Sequence, residues 1–431
     1  MQAHFAFGKT GLTVSLPPGP QYHVLTSRSA LALENPASAI ESALDQPIAG
    51  PPLRELAAGK KSVAIAVCDI TRPAPNRQTL PPLLKQLHQA GIPPEAVTIL
   101  IATGLHRAAT PAELDVILGP EIAAKYRVEN HHARRKEEQC PLGHTRRGTP
   151  VWIDARFIRA DLRITLGFIE QHLMAGFSGG RKLVAPGLAG EDTIKVLHSP
   201  RFMREPGATE GSIEDNPLHA ELLEIAHIAR QDFILDVTMT LEREISGVFA
   251  GDPVAAHAAG VAFLRESSME RLPELADAAI TSGAGYPLDL TFYQTVKGIT
   301  AAQHVVKPGG RILLLGECAE GIGSTEFAEM LRSFTGPEPF LRAITDSEVV
   351  VDQWQLEKLA LMDQRHELFF YTPGAEKSRL GSLAGKSYQD IDLAVEAFVQ
   401  GLPAKARVAL IPEGPYVFAA GPVPAETIRN A

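Results

Sequence analysis

Residues 162–187 read LRITLGFIEQHLMAGFSGGRKLVAPG, an apolar run that leads directly into a glycine-rich loop with two basic side chains. The first part, 162–169, has the length and the branched apolar residues of a buried strand. In the loop, glycines allow the backbone to approach a ligand closely, and Arg181 and Lys182 offer positive charge or an amine nucleophile. This stretch therefore predicts a buried strand with a ligand site beyond its end.

Histidines flank the glycine-rich loop on both sides. His172 lies four residues before Gly176, and His198 lies eleven residues after Gly187. Imidazoles move protons near neutral pH and bind metal ions, so both histidines are candidates for chemistry. An ordinary surface loop is the alternative, because glycine most often marks a turn. Other segments must therefore supply independent support.

The composition of the chain limits the classes of protein to which it can belong. The chain has 431 residues, 45% of them hydrophobic and 6% aromatic, which favours a soluble α/β enzyme of two or three domains. Its formal net charge of -9 excludes the broad positive field of a general nucleic-acid binder. The basic run 134–136 is followed at once by Glu137 and Glu138, as in a solvated loop. We expect no nucleic-acid partner.

The cysteines and the apolar segments predict a cellular setting. Cys68, Cys140 and Cys318 are too far apart in sequence for a disulfide framework or a CxxC metal site. The first residues lack the pattern of a secretion signal, and no stretch approaches about eighteen uninterrupted apolar residues. We therefore expect a cytoplasmic protein that does not contact a membrane.

Short apolar runs rich in valine and isoleucine alternate with helical patterns along the chain. The runs are residues 62–69, 97–103, 162–169, 278–282, 311–317 and 407–412, with a further strand-rich patch at 233–249. The helical patterns are at 80–90, 216–230 and 254–272. This alternation predicts an α/β fold with largely parallel or mixed sheets flanked by helices.

The length of the chain and the turn at Leu272-Pro273-Glu274 predict two domains. We expect an N-terminal domain at 1–271, which binds a cofactor, and a C-terminal domain at 272–402. The last strand, in 403–431, is expected to return to the first domain. The active site is expected in the crevice between the two domains.

Polar residues follow the ends of three predicted strands, where open parallel sheets place their ligands. Asp69, Thr71 and Arg72 follow the first run, His106 follows the second, and His172 follows the third. Each has an ordinary alternative, since an aspartate after a strand is often a helix cap. Their shared position relative to three strands favours one active site.

A fourth segment lies at 291–298, where the helical period puts Gln294 and Lys297 on one face. A solvent-facing polar stripe is the alternative. The neighbouring glycine loop at 283–287 favours close approach of a ligand.

Familiar signatures are mostly missing. No GxGxxG opens a helix, Gly8-Lys9-Thr10 lacks the upstream glycine of a P-loop, and no HExxH occurs, so neither NAD, ATP nor a thermolysin-like zinc site is indicated. Residues 176–180 do match GxSxG, the turn that carries the nucleophile of serine hydrolases. That turn should follow a strand directly, whereas 171–175 separates Ser178 from the run at 162–169. A serine hydrolase stays as an alternative.

Taken together, the segments resemble the lactate racemase family over nearly the whole chain. The matching motifs are CDITRP at 68–73, ATGLHR at 102–107, EQHLMAGFSGGRKLVAPG at 170–187, YQTVKG at 293–298 and DQWQ at 352–355. The resemblance implies a nickel-pincer nucleotide, a nickel-bearing cofactor derived from nicotinic acid mononucleotide. It also implies dedicated maturation enzymes as partners.

The resemblance assigns a role to each candidate residue. Lys182 would carry the cofactor covalently, and His198 would supply the protein ligand to nickel. His106 and His172 would be the two acid/base catalysts. The substrate-binding residues would be Arg72, Lys297, Gln294 and Trp354, and the further cofactor-binding residues would be Asp69, Thr71, Arg72 and Ser178.

The resemblance also implies the reaction. One histidine would take the hydroxyl proton of a 2-hydroxy acid while its C2 hydrogen leaves as hydride, giving a 2-keto acid. Return of the hydride to the opposite face would invert C2. The family acts on several 2-hydroxy acids, so lactate and a sugar acid such as gluconate both stay open. A nickel or cofactor-binding relative without turnover is the other alternative, which the presence of both His106 and His172 disfavours.

Overall fold

The chain folds into two compact units. The computed structural model describes residues 1–72, 74–375, 380 and 385–422. The N-terminal unit contains residues 29–198 and 205–267, and the C-terminal unit contains residues 1–28, 199–204 and those from Ser268 onward. Both are α/β, with parallel or mixed sheets flanked by helices, which confirms the predicted fold class.

The described strands and helices have the following bounds. The strands are β1 (Gln2–Phe5), β2 (Leu12–Ser15), β3 (Gln21–Val24), β4 (Val63–Cys68), β5 (Val97–Ala102), β6 (Arg127–Asn130), β7 (Gln139–His144), β8 (Pro150–Asp154), β9 (Leu162–Phe168), β10 (Gln171–His172), β11 (Gly176–Phe177), β12 (Phe233–Met239), β13 (Ile245–Gly251), β14 (Met269–Arg271), β15 (Ala276–Ser282), β16 (Val306–Leu315), β17 (Glu367–Tyr371), β18 (Lys386–Tyr388), β19 (Arg407–Ile411) and β20 (Phe418–Ala420). The helices are α1 (Pro36–Asp45), α2 (Leu53–Ala57), α3 (Asn76–Gln89), α4 (Pro111–Leu118), α5 (Pro120–Lys125), α6 (Ala155–Arg159), α7 (Arg181–Val184), α8 (Glu191–Leu197), α9 (Pro200–Met203), α10 (Pro217–Ile228), α11 (Pro253–Ser268), α12 (Phe292–Ala302), α13 (Thr325–Ser333), α14 (Pro337–Ala343), α15 (Gln353–Arg365) and α16 (Ile391–Val399).

The sheet of the N-terminal unit has the order β13-β12-β9-β4-β5-β6. Its strands are parallel except β13, which pairs antiparallel with β12. The three predicted runs at 62–69, 97–103 and 162–169 form β4, β5 and β9, whose apolar residues are buried between helices on both faces. Because Cys68 pairs with Ala102 and Val67 pairs with Leu166, the carboxyl ends of these strands lie side by side.

The sheet of the C-terminal unit has the order β18-β17-β16-β15-β19-β3 and is parallel throughout. Its last predicted strand is β19, which pairs with β15 and with β3. The expectation that 403–431 returns to the first domain is therefore wrong for its described part, and residues 423–431 lie outside the described residues. The expectation that 1–271 is a single domain also fails, since β3 adds to the C-terminal sheet. Apolar strands of this kind fit either sheet, so their sequence does not select the partner.

The glycine loop at 283–287 contacts the chain's own N-terminal segment. The amide of Tyr286 donates to Gly8 O at 2.8 Å, and the amide of Gly8 donates to the buried Asp289 Oδ2 at 2.7 Å. Gly285 has φ +66°, and a Cβ there would lie 3.1 Å from Gly8 O. The close approach that Gly285 permits is to the backbone of the chain itself, and the expectation of a ligand at this loop stays a prediction.

A buried histidine fixes the segment that follows α7. The Nδ1 of His131 lies 2.9 Å from Asp154 Oδ2, and its Nε2 lies 2.9 Å from Ala189 O. Both ring nitrogens therefore lie within hydrogen-bond distance of an oxygen atom. Arg156 also donates to Asp154, at 2.6 and 2.9 Å. This cluster attaches the backbone at Ala189 to the end of β8.

We predict that Asp154→Asn lowers the free energy of unfolding by about 3–5 kcal/mol at neutral pH, because it removes the buried carboxylate that pairs with Arg156. Burial raises the pKa of Asp154, but hydrogen bonds from Arg156 and His131 outweigh burial and lower it to about 2. The contribution of Asp154 is thus fully present above its ordinary pKa of 3.8 and is lost as the pH falls towards 2. Urea unfolding of the variant, the wild type and the surface control Glu137→Gln measures this. Equal stability of all three at neutral pH would contradict the assignment.

Candidate active site

The loop after β4 is organised by a buried aspartate. Asp69, only 4% exposed, accepts hydrogen bonds at Oδ1 from the amide of Thr71 at 3.2 Å and from its hydroxyl at 2.7 Å. These bonds are local, and they turn the chain so that Arg72 follows at the carboxyl edge of the sheet. Pro73, the last residue of the CDITRP motif, lies outside the described residues. Asp69 and Thr71 are therefore occupied in shaping the loop.

The same aspartate orients His106, which follows β5. The His106 Nδ1 lies 2.7 Å from Asp69 Oδ2, and the imidazole side chain is 60% exposed. Burial raises the pKa of Asp69, but hydrogen bonds from His106 and Thr71 outweigh burial and lower it. The ionised carboxylate accepts the Nδ1 proton, so the neutral ring of His106 has its lone pair on Nε2. This is the arrangement of a general base held by a carboxylate.

Arg72 pairs with Glu170, the first residue of the loop after β9. Their Nη1 and Oε1 atoms lie 2.8 Å apart, and both side chains are partly exposed. A partly exposed ion pair of this kind contributes little to stability. Arg72 can therefore leave the Glu170 carboxylate and bind another carboxylate at little cost in free energy. Sequence reasoning assigned no role to Glu170 beyond its motif. The feature that could have identified Glu170 is its position directly after β9, at the same end of the strands as Arg72.

His172 lies on the short hairpin of β10 and β11. Its Nδ1 accepts hydrogen bonds from the amides of Met174 at 3.3 Å and Ala175 at 3.2 Å, so the neutral ring carries its proton on Nε2. Burial holds the pKa of His172 well below 6.5, and the charges of Lys182 and Arg72 lower it further. The two predicted catalytic histidines therefore differ in tautomer.

Lys182 lies in the first turn of α7, directly after the glycine-rich loop. Burial lowers the pKa of its amine well below 10.5, and the nearby guanidinium groups of Arg72 and Arg181 lower it further. A lower pKa favours the uncharged amine, which is the nucleophilic form. The role of Lys182 as a nucleophile stays a prediction.

His198 caps the end of α8, at the end of the segment that follows Lys182. Its Nδ1 donates to Ile194 O at 2.8 Å, which leaves the lone pair on Nε2. Burial lowers the pKa of His198 to about 4, with a smaller contribution from the charge of Lys182. A neutral imidazole with a fixed tautomer is the form that ligates a metal ion.

The hydroxyl of Ser178 is used within the loop. It donates to Phe168 O at 2.8 Å and accepts from the amide of Glu170 at 2.9 Å. A serine nucleophile instead gives its proton to a general base such as histidine. The structure therefore does not support the serine hydrolase, and a contact between Ser178 and a cofactor stays a prediction.

The other predicted substrate residues belong to the C-terminal unit. Gln294 and Lys297 lie on α12, and Trp354 lies on α15. The two helices are joined where Gln355 Nε2 donates to Tyr293 O at 3.1 Å. The Oε1 of Gln294 is buried without a hydrogen-bond partner among the described residues. The remaining predicted site residues all lie in the N-terminal unit, on loops and helices at the carboxyl ends of its strands.

Comparison with known proteins assigns the family. Residues 7–211 match the model of the lactate racemase N-terminal domain, and residues 273–419 match that of the lactate racemase C-terminal domain. The chain belongs to the lactate racemase family. Lactate racemase of Thermoanaerobacterium thermosaccharolyticum is 33% identical over 414 residues, covering 95% of this chain and 96% of that protein. Lactate racemase of Lactiplantibacillus plantarum is 34% identical over 379 residues, covering 87% and 89%.

Solved structures agree with this assignment. The lactate racemase apoprotein of T. thermosaccharolyticum superposes with a TM-score of 0.88 at 32% identity, over 97% of this chain and all of that one. A protein from Thermotoga maritima shares the fold with a TM-score of 0.64 at 15% identity, over 89% and 98%. As a member of the lactate racemase family, the chain is an isomerase. In the part of the chain that the structure describes, no helix combines the length and the apolar character needed to span a bilayer.

We predict that the two histidines have opposite tautomers in solution. At neutral pH, His106 should carry its proton on Nδ1, because Asp69 accepts it, and His172 should carry its proton on Nε2. Replacing Asp69 by alanine should reduce the preference of His106 for Nδ1–H by about tenfold or more, which corresponds to one lost charge-assisted hydrogen bond. His172 should be unchanged and is the internal control. Nitrogen-15 NMR of the imidazoles measures both, and the same tautomer at both positions in the wild type would refute the assignment.

Proposed function

We propose that this chain inverts C2 of lactate or a closely related 2-hydroxy acid, using a nickel-pincer nucleotide held by Lys182 and His198. The observation that carries the proposal is the set of groups at one sheet edge of the N-terminal unit. These groups are an amine whose pKa is lowered, an imidazole with its lone pair on Nε2, and two imidazoles of opposite tautomer. Membership of the lactate racemase family supports the substrate class.

The residues present fit the proposed cofactor. The lowered pKa of Lys182 favours the uncharged amine, which can form a covalent bond, and His198 has its lone pair on Nε2. Imidazole nitrogen suits nickel, as do sulfur ligands. When bound, the cofactor supplies nickel and a pyridine carbon that accepts a hydride and returns it. Asp69, Thr71, Arg72 and Ser178 are the proposed further contacts, and maturation enzymes would deliver the cofactor.

His106 is suited to take the hydroxyl proton of the substrate. Its Nε2 has the lone pair, and the imidazolium formed on protonation is stabilised by the ionised Asp69, which stays within 2.7 Å. The proton is thus held at Nε2 while C2 loses its hydrogen and becomes planar in a 2-keto acid. Return of the proton from His106 to the keto oxygen reverses the step.

His172 would serve the opposite enantiomer. In the tautomer observed, its Nε2–H donates, which suits an interaction with the keto oxygen. To act as a base it must move its proton to Nδ1, which loses two long hydrogen bonds of 3.2 and 3.3 Å from Ala175 and Met174. The two amides would then face an N–H group, so this change of tautomer requires that they find other acceptors.

The substrate carboxylate would be bound by cations. Arg72 has the planar fork that a carboxylate matches, and its present partner is the Glu170 carboxylate. Lys297 and Gln294 on α12 are the proposed substrate contacts in the C-terminal unit, with Trp354 as an apolar wall for the substrate side chain. A sugar acid such as gluconate would need more polar groups around its distal carbons. The setting proposed for this reaction is the cytoplasm.

We predict that the protein, purified from a host that makes the cofactor, contains nickel and an added mass on Lys182 in equal amounts. Lys182→Ala should lose the added mass and nearly all of the nickel, whereas the surface control Lys85→Ala should keep both. Metal analysis and mass spectrometry of the Lys182 peptide measure this. Full activity of Lys182→Ala without added cofactor would refute the covalent attachment.

We predict that His106→Ala and His172→Ala each lower racemisation by roughly 10²–10⁴-fold, the usual contribution of an acid/base group. Chiral chromatography of the products from lactate, gluconate and other 2-hydroxy acids measures activity and identifies the substrate. With substrate deuterated at C2, the wild type should keep the deuterium in the inverted product, because hydride does not exchange with water. Early loss of deuterium to the solvent would refute hydride transfer.

A further inference from the structure

Arg181 is a buried charged residue that the proposed reaction does not use. It is 1% exposed and precedes Lys182. Its Nη2 donates to Ala175 O at 2.9 Å and to Phe177 O at 3.2 Å, and its Nη1 lies 2.7 Å from His257 Nε2. The guanidinium therefore binds the backbone of the glycine-rich loop at two points.

Asp236 on β12 binds the same loop from the sheet. It is fully buried, and its Oδ2 accepts from the amide of Gly180 at 2.7 Å. Gly179 has φ +79°, and a Cβ there would lie 2.6 Å from Asp236 Oδ2. Burial raises the pKa of Asp236 to about 7, against the smaller opposite effects of Gly180 and Arg181. The loop and the carboxylate therefore fit each other only with glycine at 179.

His257 on α11 provides the third point of attachment. Its Nε2 lies 2.8 Å from Ser178 O and 2.7 Å from Arg181 Nη1, and in the tautomer with its proton on Nε2 it donates to Ser178 O only. Burial holds the pKa of His257 well below 6.5, and the charge of Arg181 lowers it further, so the ring is neutral. His219 stacks on it with ring centroids 6.2 Å apart, but no hydrogen bond is found between the His219 ring and the loop in the described chain.

Burying three ionisable groups together is costly, and well-packed apolar side chains would stabilise a core more simply. Here the buried groups bind Ala175 O, Phe177 O, Ser178 O and Gly180 N, the backbone atoms that lead up to Lys182. We propose that Arg181, Asp236 and His257 are positioning residues, which hold residues 175–180 in the path that presents the Lys182 amine for cofactor attachment. This inference rests on the proposed function of Lys182.

The test compares four variants by two measurements. His257→Phe keeps a stacking ring but loses the bond to Ser178 O, and Asp236→Val loses the acceptor for Gly180 N. The matched control His219→Phe alters the neighbouring ring of the same buried stack. Each is purified from a cofactor-producing host, and the fraction of Lys182 with added mass is measured. Hydrogen exchange of the apoprotein is followed for peptides covering 175–182 and, as a measure of global stability, β4.

We expect about tenfold or greater loss of added mass in His257→Phe and Asp236→Val, with about tenfold faster exchange confined to 175–182. His219→Phe should resemble the wild type in both measurements. Asp236→Asn keeps an acceptor oxygen for Gly180 N without the charge, so it should restore attachment. That rescue would show that the bond to the loop is what matters.

Normal attachment and normal loop exchange in His257→Phe would overturn the proposal, as would equal losses in His219→Phe. If Asp236→Val does not fold, His257→Phe still decides. If the wild type carries no added mass in such a host, the proposed function fails, but the hydrogen-exchange comparison still tests whether the three residues hold the loop.

Discussion

The chain around Lys182 must follow one path, and buried polar side chains fix that path on both sides. Before Lys182, Arg181 and its partners bind the carbonyls and the amide of the glycine-rich loop. After it, one ring nitrogen of His131 lies beside Ala189 O and the other lies beside Asp154. A loop rich in glycine has large conformational entropy in the unfolded chain, so its order depends on such bonds. Every group proposed to act on the cofactor lies on this segment or next to it.

Burial gives these groups their chemistry. Desolvation disfavours positive charge on Lys182, and the nearby guanidinium groups of Arg72 and Arg181 act in the same direction. Burial also lowers the pKa of two imidazoles, His172 and His198, which favours their neutral forms. His106 is exposed, and it is hydrogen-bonded to the carboxylate of Asp69. A site with permanent guanidinium charge and neutral bases suits anionic ligands, whose charge relieves the repulsion among the cations.

The sequence predicted the strands better than it predicted their partners. The runs that became β4, β5 and β9 are almost wholly apolar, so their burial on both faces could be predicted from the sequence. The position of the polar residues at the ends of these strands could be predicted in the same way. The sequence did not predict which sheet contains β19, since an equally apolar strand fits beside either sheet. The glycines at 283–287 are ambiguous for a related reason, because glycine permits close approach both of the chain's own backbone and of a ligand.

For the candidate site, the sequence motifs identified the residues but not their tautomers. Spacing placed His106 and His172 after two strands, yet only the hydrogen bonds from Asp69 and from the amides of Met174 and Ala175 distinguish their tautomers. Likewise, Asp236 and His257 lie 54 and 75 residues beyond Lys182 in sequence, within an ordinary strand and an ordinary helix. No local pattern connects them to the loop. Only the pairing of β12 with β9, and the packing that follows from it, brings them there.

The unequal environments of His106 and His172 are compatible with a racemase because enantiomers have equal free energies in water. The equilibrium constant is one, so kcat/KM must be the same in both directions whatever the two histidines contribute. The carboxylate bonded to one histidine and the backbone amides bonded to the other can therefore make kcat and KM differ between the two directions. The ratio of kcat to KM must nevertheless be the same in both directions. In their proposed roles, the hydrogen bonds to these imidazoles would affect which enantiomer is bound more tightly and turned over more slowly, and they would leave the final mixture unchanged.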